Sequence, residues 1–234
     1  MANPFFRFKK FTVWHDRCAM KVGTDAVLLG AWANLTDAKR VLDIGCGCGI
    51  ISLMAAQRCK GKVIGVEIDK EAALQAVDNV KCSPWANRVT IVNEDVVKYN
   101  DKQKYDVILS NPPYFVDALK CPDTKRTFAR HMEGLDFDVL MSCVASLLTE
   151  DGEFSMVIPT QAVSSVKAAS VSAKLYLSRE TEVCTKVGKL PKRSLLAFRL
   201  SSSVERVEIS QLIIEDAFGH KTEEYQKMVT DFYL

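Results

Sequence analysis

Arg40-Val41-Leu42-Asp43-Ile44-Gly45-Cys46-Gly47-Cys48-Gly49 decides the fold. Arg40 to Ile44 has the continuous apolar character of a buried strand, and it runs straight into G-x-G-x-G. Ile50 to Arg58 continues as a helix, so strand, glycine turn and helix N-terminus follow one another without a spacer. Glycines let the backbone come close to a ligand, and the unpaired N–H groups of the helix start face the ligand's polar end. Alone, such a loop also serves merely to pack a helix on a strand.

Working outward, Lys62 to Glu67 is the next strand, and its terminal Glu67 stands where a carboxylate grips a ribose diol in dinucleotide folds. A helix over 70–82 and a strand over 88–93 follow, and then Asp95 in Asn93-Glu94-Asp95-Val96, placed to accept from an adenine amino group. Gly23-Thr24-Asp25 opens an earlier helix, with Thr24 or Asp25 expected as its N-cap. Further strands are expected at 105–109, 153–158, 175–187 and 194–201, with helices over 136–149 and 160–173. The pattern predicts an α/β chain with a doubly wound, mostly parallel, seven-stranded sheet. Phe5 to Trp14 alternates aromatic and basic residues as a strand or hairpin extension would, and its aromatics suit a core better than an RNA platform. With no repeat or linker in view, one domain over 1–234 is expected, divided into an extension with the first helix (1–34) and a catalytic core (35–234).

A second constellation is Ser110-Asn111-Pro112-Pro113-Tyr114-Phe115, which follows the strand at 105–109 and so lies at a sheet's carboxyl edge. Each proline fixes its own φ and restricts the residue before it, which holds Asn111 and Pro112 extended. The Asn111 amide oxygen and the Pro112 carbonyl can then both accept from one planar NH₂, with the Tyr114 ring offering a face to a flat base. An ordinary Asn-Pro turn explains this stretch equally well in isolation. Read together with the glycine loop, Glu67 and Asp95, it describes a site for an adenosine-bearing cofactor beside an amine.

Composition leaves the class open but excludes several settings. The 234 residues are 48% hydrophobic and 26% charged, with net charge +2 from 31 basic and 29 acidic side chains, so attraction to nucleic acid must come from local clusters. No signal peptide or membrane span is read, and the protein is expected in the cytoplasm. Eight scattered cysteines lack a C-x-x-C pair and read as reduced thiols, with no metal site expected. His15, His131 and His220 read as surface or packing residues.

The segments Asp43 to Gly49, Glu67-Ile68-Asp69, Asp95 and Asn111-Pro112-Pro113-Tyr114 resemble the successive motifs of class I S-adenosylmethionine-dependent amino-methyltransferases. Lys21 to Trp32, Ala129-Arg130-His131 and the ending Asp231-Phe232-Tyr233-Leu234 are similar to the bacterial tRNA1(Val) adenine-N6-methyltransferases, which modify the adenosine at position 37. The resemblance implies a Rossmann-like fold, S-adenosyl-L-methionine as cofactor and tRNA as partner, acted on by a monomer. It implies catalytic roles for Asn111, Pro112 and Tyr114. Cofactor contacts would come from Thr24 and Asp25 at the carboxylate, Asp43 at the methionine end, Gly45, Gly47 and Gly49 through backbone, Glu67 with Ile68 at the ribose, Asp95 with Val96 at the adenine, and Asn111. The basic residues Lys120, Lys125, Arg126 and Arg130, and later Lys189, Lys192 and Arg193, would meet phosphates.

A glutamine N5-methyltransferase acting on a protein presents the same motif, because a side-chain amide offers the same planar NH₂. Such enzymes usually carry a helical N-terminal domain, for which the residues ahead of the glycine loop are too few. Adenine-N6 methylation of rRNA or DNA is the other alternative, along with a non-catalytic RNA-binding module.

Overall fold

The computed structural model describes residues 3–113, 136–200 and 206–233. A short antiparallel hairpin of β1 (Phe5–Arg7) and β2 (Thr12–Trp14) leads into α1 (Thr24–Trp32). The main sheet is built from β3 (Arg40–Ile44), β4 (Lys62–Glu67), β5 (Val89–Asn93), β6 (Tyr105–Ser110), β7 (Leu148–Pro159), β8 (Tyr176–Lys186), β9 (Arg193–Arg199) and β10 (Glu208–Glu215). Helices α2 (Ile50–Arg58), α3 (Lys70–Lys81), α4 (Phe137–Leu147), α5 (Val163–Ser172) and α6 (Glu223–Val229) connect or flank these strands.

Strand order is β10-β8-β9-β7-β6-β3-β4-β5, and every neighbouring pair is parallel except those made by β9. From β3 the chain winds outward to β4 and β5, then returns to place β6 on the other side of β3. That reversal opens a crevice at the carboxyl ends of β3 and β6, the usual binding place in open α/β sheets. Both sheet faces are covered, as a parallel sheet requires. Val41 and Val63 point into an apolar cluster with α1, α2 and the C-terminal segment, while Leu42, Ile64 and Val66 join the opposite cluster with α4 and α5.

The sheet has eight strands, one more than the sequence predicts. Among the described residues β10 is an edge strand whose strand partner is β8, and its first half, Glu208 to Gln211, is exposed throughout, Ile209 included, so this half lacks the alternation that marks a half-buried strand. The N-cap of α1 is Gly23, without a side-chain cap, so Thr24 and Asp25 are the first two helical residues and not the cap. The stretch read as one helix over 160–173 begins as a 3₁₀ turn, Thr160–Ala162. Thr222 caps the short α6, its hydroxyl accepting from the Tyr225 N–H, and this helix was not expected.

Two amides on one face of α3 fasten the N-terminal segment to the core. The Asn79 side chain accepts from Trp14 N–H (2.9 Å) and donates to the carbonyls of Trp14 (2.8 Å) and Cys48 (2.9 Å). Gln75, one turn earlier, accepts from Arg17 N–H (2.9 Å) and donates to Asp16 Oδ1 (2.6 Å). Both amides are buried, which is tolerable only because their polar atoms are paired. In the turn of the hairpin, Phe8 stacks on Phe11 at 4.6 Å, and Lys9 N–H donates to Phe232 O (2.8 Å). Phe8 and Phe11 are buried and Phe6 packs against them, so these aromatics serve the core as read from the sequence, whereas Trp14 is 46% exposed. Asn79→Ala strips partners from three buried or half-buried backbone groups and should cost about 2–3 kcal/mol, measured as a shift in the urea unfolding midpoint at constant m.

Candidate active site

Backbone register alone sets out the site. Ser110 pairs with Ile44, Ile44 with Val66, and Val66 with Val92, so the next residue of each strand falls in one row: Asn111, Gly45, Glu67 and Asn93. With strands about 4.8 Å apart, the row from Asn111 to Glu67 spans about 10 Å. Three side-chain hydrogen bonds pin the row. Ser110 Oγ donates to Ile44 O (3.0 Å), and Asn93 Nδ2 donates to Glu67 O (2.8 Å) and Ile68 O (3.1 Å). Asn93 was missed from sequence; its only signal was a polar amide closing an apolar strand.

Gly45, Gly47 and Gly49 all have positive φ (69°, 53° and 81°), a backbone region that side chains strain to enter. Gly45 and Cys46 N–H groups both donate to Val66 O (2.9 and 3.1 Å), which folds the loop over the end of β4. Glu67, almost wholly buried, accepts from Gly47 N–H (2.7 Å) and Asp69 N–H (2.9 Å), so the carboxylate expected at a ribose also holds the loop's shape. Gly65 has a separate reason to lack a side chain: an added Cβ would come within 2.9 Å of Cys46 Sγ and Ser52 Oγ.

Beneath the loop, Asp43 is fully buried. Its Oδ2 accepts from Ser52 Oγ (2.6 Å), whereas Oδ1 has no hydrogen-bond partner among the described residues. Burial outweighs the Ser52 bond and raises its pKa to about 7. A buried carboxylate with one unpartnered oxygen is a place for a cation or donor to bind.

The remaining expected contacts fall around this row. Ile68 is 69% exposed beside Glu67, offering an apolar surface, and Val96 is buried just beyond β5. Asp95 Oδ1 accepts from Val97 N–H (3.0 Å), which opens the turn after β5. Thr24 and Asp25 begin α1, but the Asp25 carboxylate is bound by Arg193 Nε (2.7 Å). Arg193 is therefore tied to the first turn of α1, whereas Lys189 and Lys192 are exposed. Asn111 is half-buried and Pro112 buried, directly after β6. Tyr114, Lys120, Lys125, Arg126, Arg130 and His131 lie outside the described residues. Among the other histidines, His15 is buried between Asn3 O (2.9 Å) and Val22 N–H (3.3 Å), and His220 is exposed on the turn after β10. Neither is in the row with Asn111.

Strand order, glycine loop and the acid closing β4 together define a class I methyltransferase architecture. Solved structures bear out that fold: a protein described as a predicted O-methyltransferase from Agrobacterium tumefaciens superposes with TM-score 0.70 at 19% identity, over 89% of this chain and 96% of that one. A TehB-like SAM-dependent methyltransferase from Corynebacterium glutamicum superposes with TM-score 0.51 at 16% identity, over 77% and 89%. Residues 19–163 match the family model of the methyltransferase small domain. The chain is 48% identical over 236 residues to a tRNA1(Val) (adenine(37)-N6)-methyltransferase of Bacteroides thetaiotaomicron, covering 100% of this chain and 99% of the relative. It is 49% identical over 234 residues to the protein of that name in Phocaeicola vulgatus, again covering 100% and 99%. The chain belongs to the tRNA1(Val) (adenine(37)-N6)-methyltransferase family.

Among the described residues, no helix is long and apolar enough to cross a membrane, and no His, Cys, Asp and Glu side chains group in a way that could hold a metal ion.

Proposed function

We propose that the protein transfers a methyl group from S-adenosyl-L-methionine to N6 of adenosine 37 in tRNA1(Val). The observation that carries this reading is full-length identity near one half to relatives of that name, in a chain that keeps Asn111-Pro112-Pro113-Tyr114 at the end of β6.

The residues present suit the cofactor. The glycine loop leaves space where side chains would stand, since among the described residues a Cβ on Gly45 or Gly47 would meet nothing within 4 Å and Asp43 Oδ1, beneath the loop, has no hydrogen-bond partner. Gly45, Gly47 and Gly49 would line the cofactor through backbone, with Asp43 at its methionine end and the α1 start at Thr24 and Asp25 facing its carboxylate. Glu67 and Ile68 would take the ribose, and Asp95 with Val96 the adenine. Bound there, the cofactor supplies an electrophilic methyl group.

An exocyclic adenine nitrogen is a weak nucleophile because its lone pair is delocalised into the ring. Asn111 Oδ1 and the Pro112 carbonyl accept its two hydrogens, which favours a pyramidal nitrogen with the lone pair freed toward the methyl. Tyr114 stacks on the flipped base and offsets part of the cost of extruding it. No strong general base is needed, because the nitrogen is acidic once it carries the methyl and releases its surplus proton to solvent water. The reading makes the protein a cytoplasmic monomer, in keeping with unpaired thiols such as Cys46, Cys48 and Cys59.

The test is incubation with labelled cofactor and either tRNA1(Val) or its adenosine-37-to-guanosine form. Label is expected in the first and absent from the second. Label appearing instead in a protein glutamine, or undiminished in the altered tRNA, overturns the assignment.

A further inference from the structure

Two turns rise side by side from the sheet edge that carries the site. The first, 187–192, joins β8 to β9; the second, 216–221, follows β10. β8 and β10 are hydrogen-bonded neighbours, and Val187 N–H donates to Glu215 O (2.9 Å), so the two turns share a base. Both present large apolar side chains to solvent: Leu190 and Phe218 are each 85% exposed, and Val187 is 46% exposed. Phe218 is not a loose side chain on a loose loop. Asp216 Oδ1 accepts from the N–H groups of Phe218 (2.8 Å) and His220 (2.9 Å), and Asp216 N–H donates to His220 O (2.9 Å), which closes the turn beneath the ring.

Charge indicates what covers this patch. Lys189 and Lys192 are exposed around Leu190, and Lys186 stands at the base. Of the acids nearby, Glu215 is paired with Lys221 (2.9 Å) and Asp216 is engaged with its own turn. Exposed flat or branched apolar groups flanked by Lys189 and Lys192, which form no ion pair among the described residues, suit single-stranded nucleic acid, whose bases stack while its phosphates seek cations. An apolar protein partner would gain nothing from the lysines.

Distance fits the same occupant. β8 lies three strands and β10 four strands from β6, so the turns stand about 14 and 19 Å along the edge from Asn111 at the usual strand spacing. At about 3.4 Å per nucleotide along one strand, bases roughly four to six positions from one held at Asn111 fall within that range.

We infer that the paired turns at 187–192 and 216–221 form a docking crown for the anticodon arm, in which Phe218 and Leu190 take unstacked loop bases and Lys189 and Lys192 hold the adjoining phosphates. The inference rests on the proposed tRNA activity and adds the surface that receives the RNA.

Steady-state methylation of tRNA1(Val) by the full chain and by a Leu190→Ala/Phe218→Ala variant tests it. Both side chains are exposed, so the variant should unfold at the wild-type midpoint. The KM for tRNA should rise about tenfold, in line with base-stacking losses, with kcat and cofactor affinity unchanged. Phe218→Trp should retain the wild-type KM, because it preserves a stacking face, whereas Phe218→Leu should not. Wild-type KM in the double variant, with methylation of tRNA intact, overturns this inference alone. A wild-type chain that labels no tRNA overturns the proposed function and this inference with it. Sedimentation showing a dimer that the double variant dissolves would assign the patch to a second copy of the chain and overturn it as well.

Discussion

Replacing Asn111 by alanine is expected to lower kcat for methyl transfer about a thousandfold, the usual scale for loss of a preorganised polar group at a reacting centre. Cofactor affinity should change by no more than about threefold, because the interaction removed is made chiefly to the target amine. The magnitude follows from how firmly that amide is held. β6 ends at Ser110, whose hydroxyl is bonded to the end of β3, and the two prolines fix the next backbone segment. An acceptor placed so rigidly loses little entropy in the transition state, and water in its place cannot reproduce that. Single-turnover rates and cofactor titration of the same preparation separate the two effects. Parallel loss of cofactor binding and rate would show that Asn111 supports the cofactor and not the amine.

Asp43→Asn is expected to abolish a pH dependence of stability that the parent chain carries. In the folded protein burial raises the Asp43 pKa to about 7 from 3.8. Between those values the unfolded chain has released the proton while the folded chain retains it. The contribution of this carboxyl therefore falls as pH rises from about 4 to 7, by up to roughly 4 kcal/mol, and is flat above that range. Other carboxylates act in the opposite direction, so the measurement is the difference between the parent chain and Asp43→Asn in urea unfolding across pH 4–8. A difference that does not change with pH would contradict a protonated, buried Asp43. The same proton bears on the ligand. A cationic group bound beside Asp43 Oδ1 favours the ionised form, so cofactor affinity should strengthen as pH passes through 7 and lose that trend in the variant.

The glycine loop, Glu67 and Asn111 were legible in the sequence because each closes an apolar strand, and a strand's end is a place as well as a pattern. Their row could not be read, since it depends on inter-strand register, which no single strand encodes. Asn93, Gln75 and Asn79 were missed for a related reason: a buried amide looks like an exposed one until its partners are known. β10 was missed because its outer half is exposed on both faces and carries three polar residues in four, as sheet edges tend to. Arg193 carried charge in a basic stretch, yet Asp25, far away in sequence, claims it.

The direction of β9 has an evolutionary consequence. A strand running against its neighbours is fed by a loop that opens on the same sheet edge as the glycine turn, where a parallel strand would be fed from the opposite end. That loop can lengthen, shorten or change its residues without disturbing the strands that carry Asn111 and Glu67. A surface that receives substrate there can thus change while the strands that hold the methyl-transfer residues stay as they are.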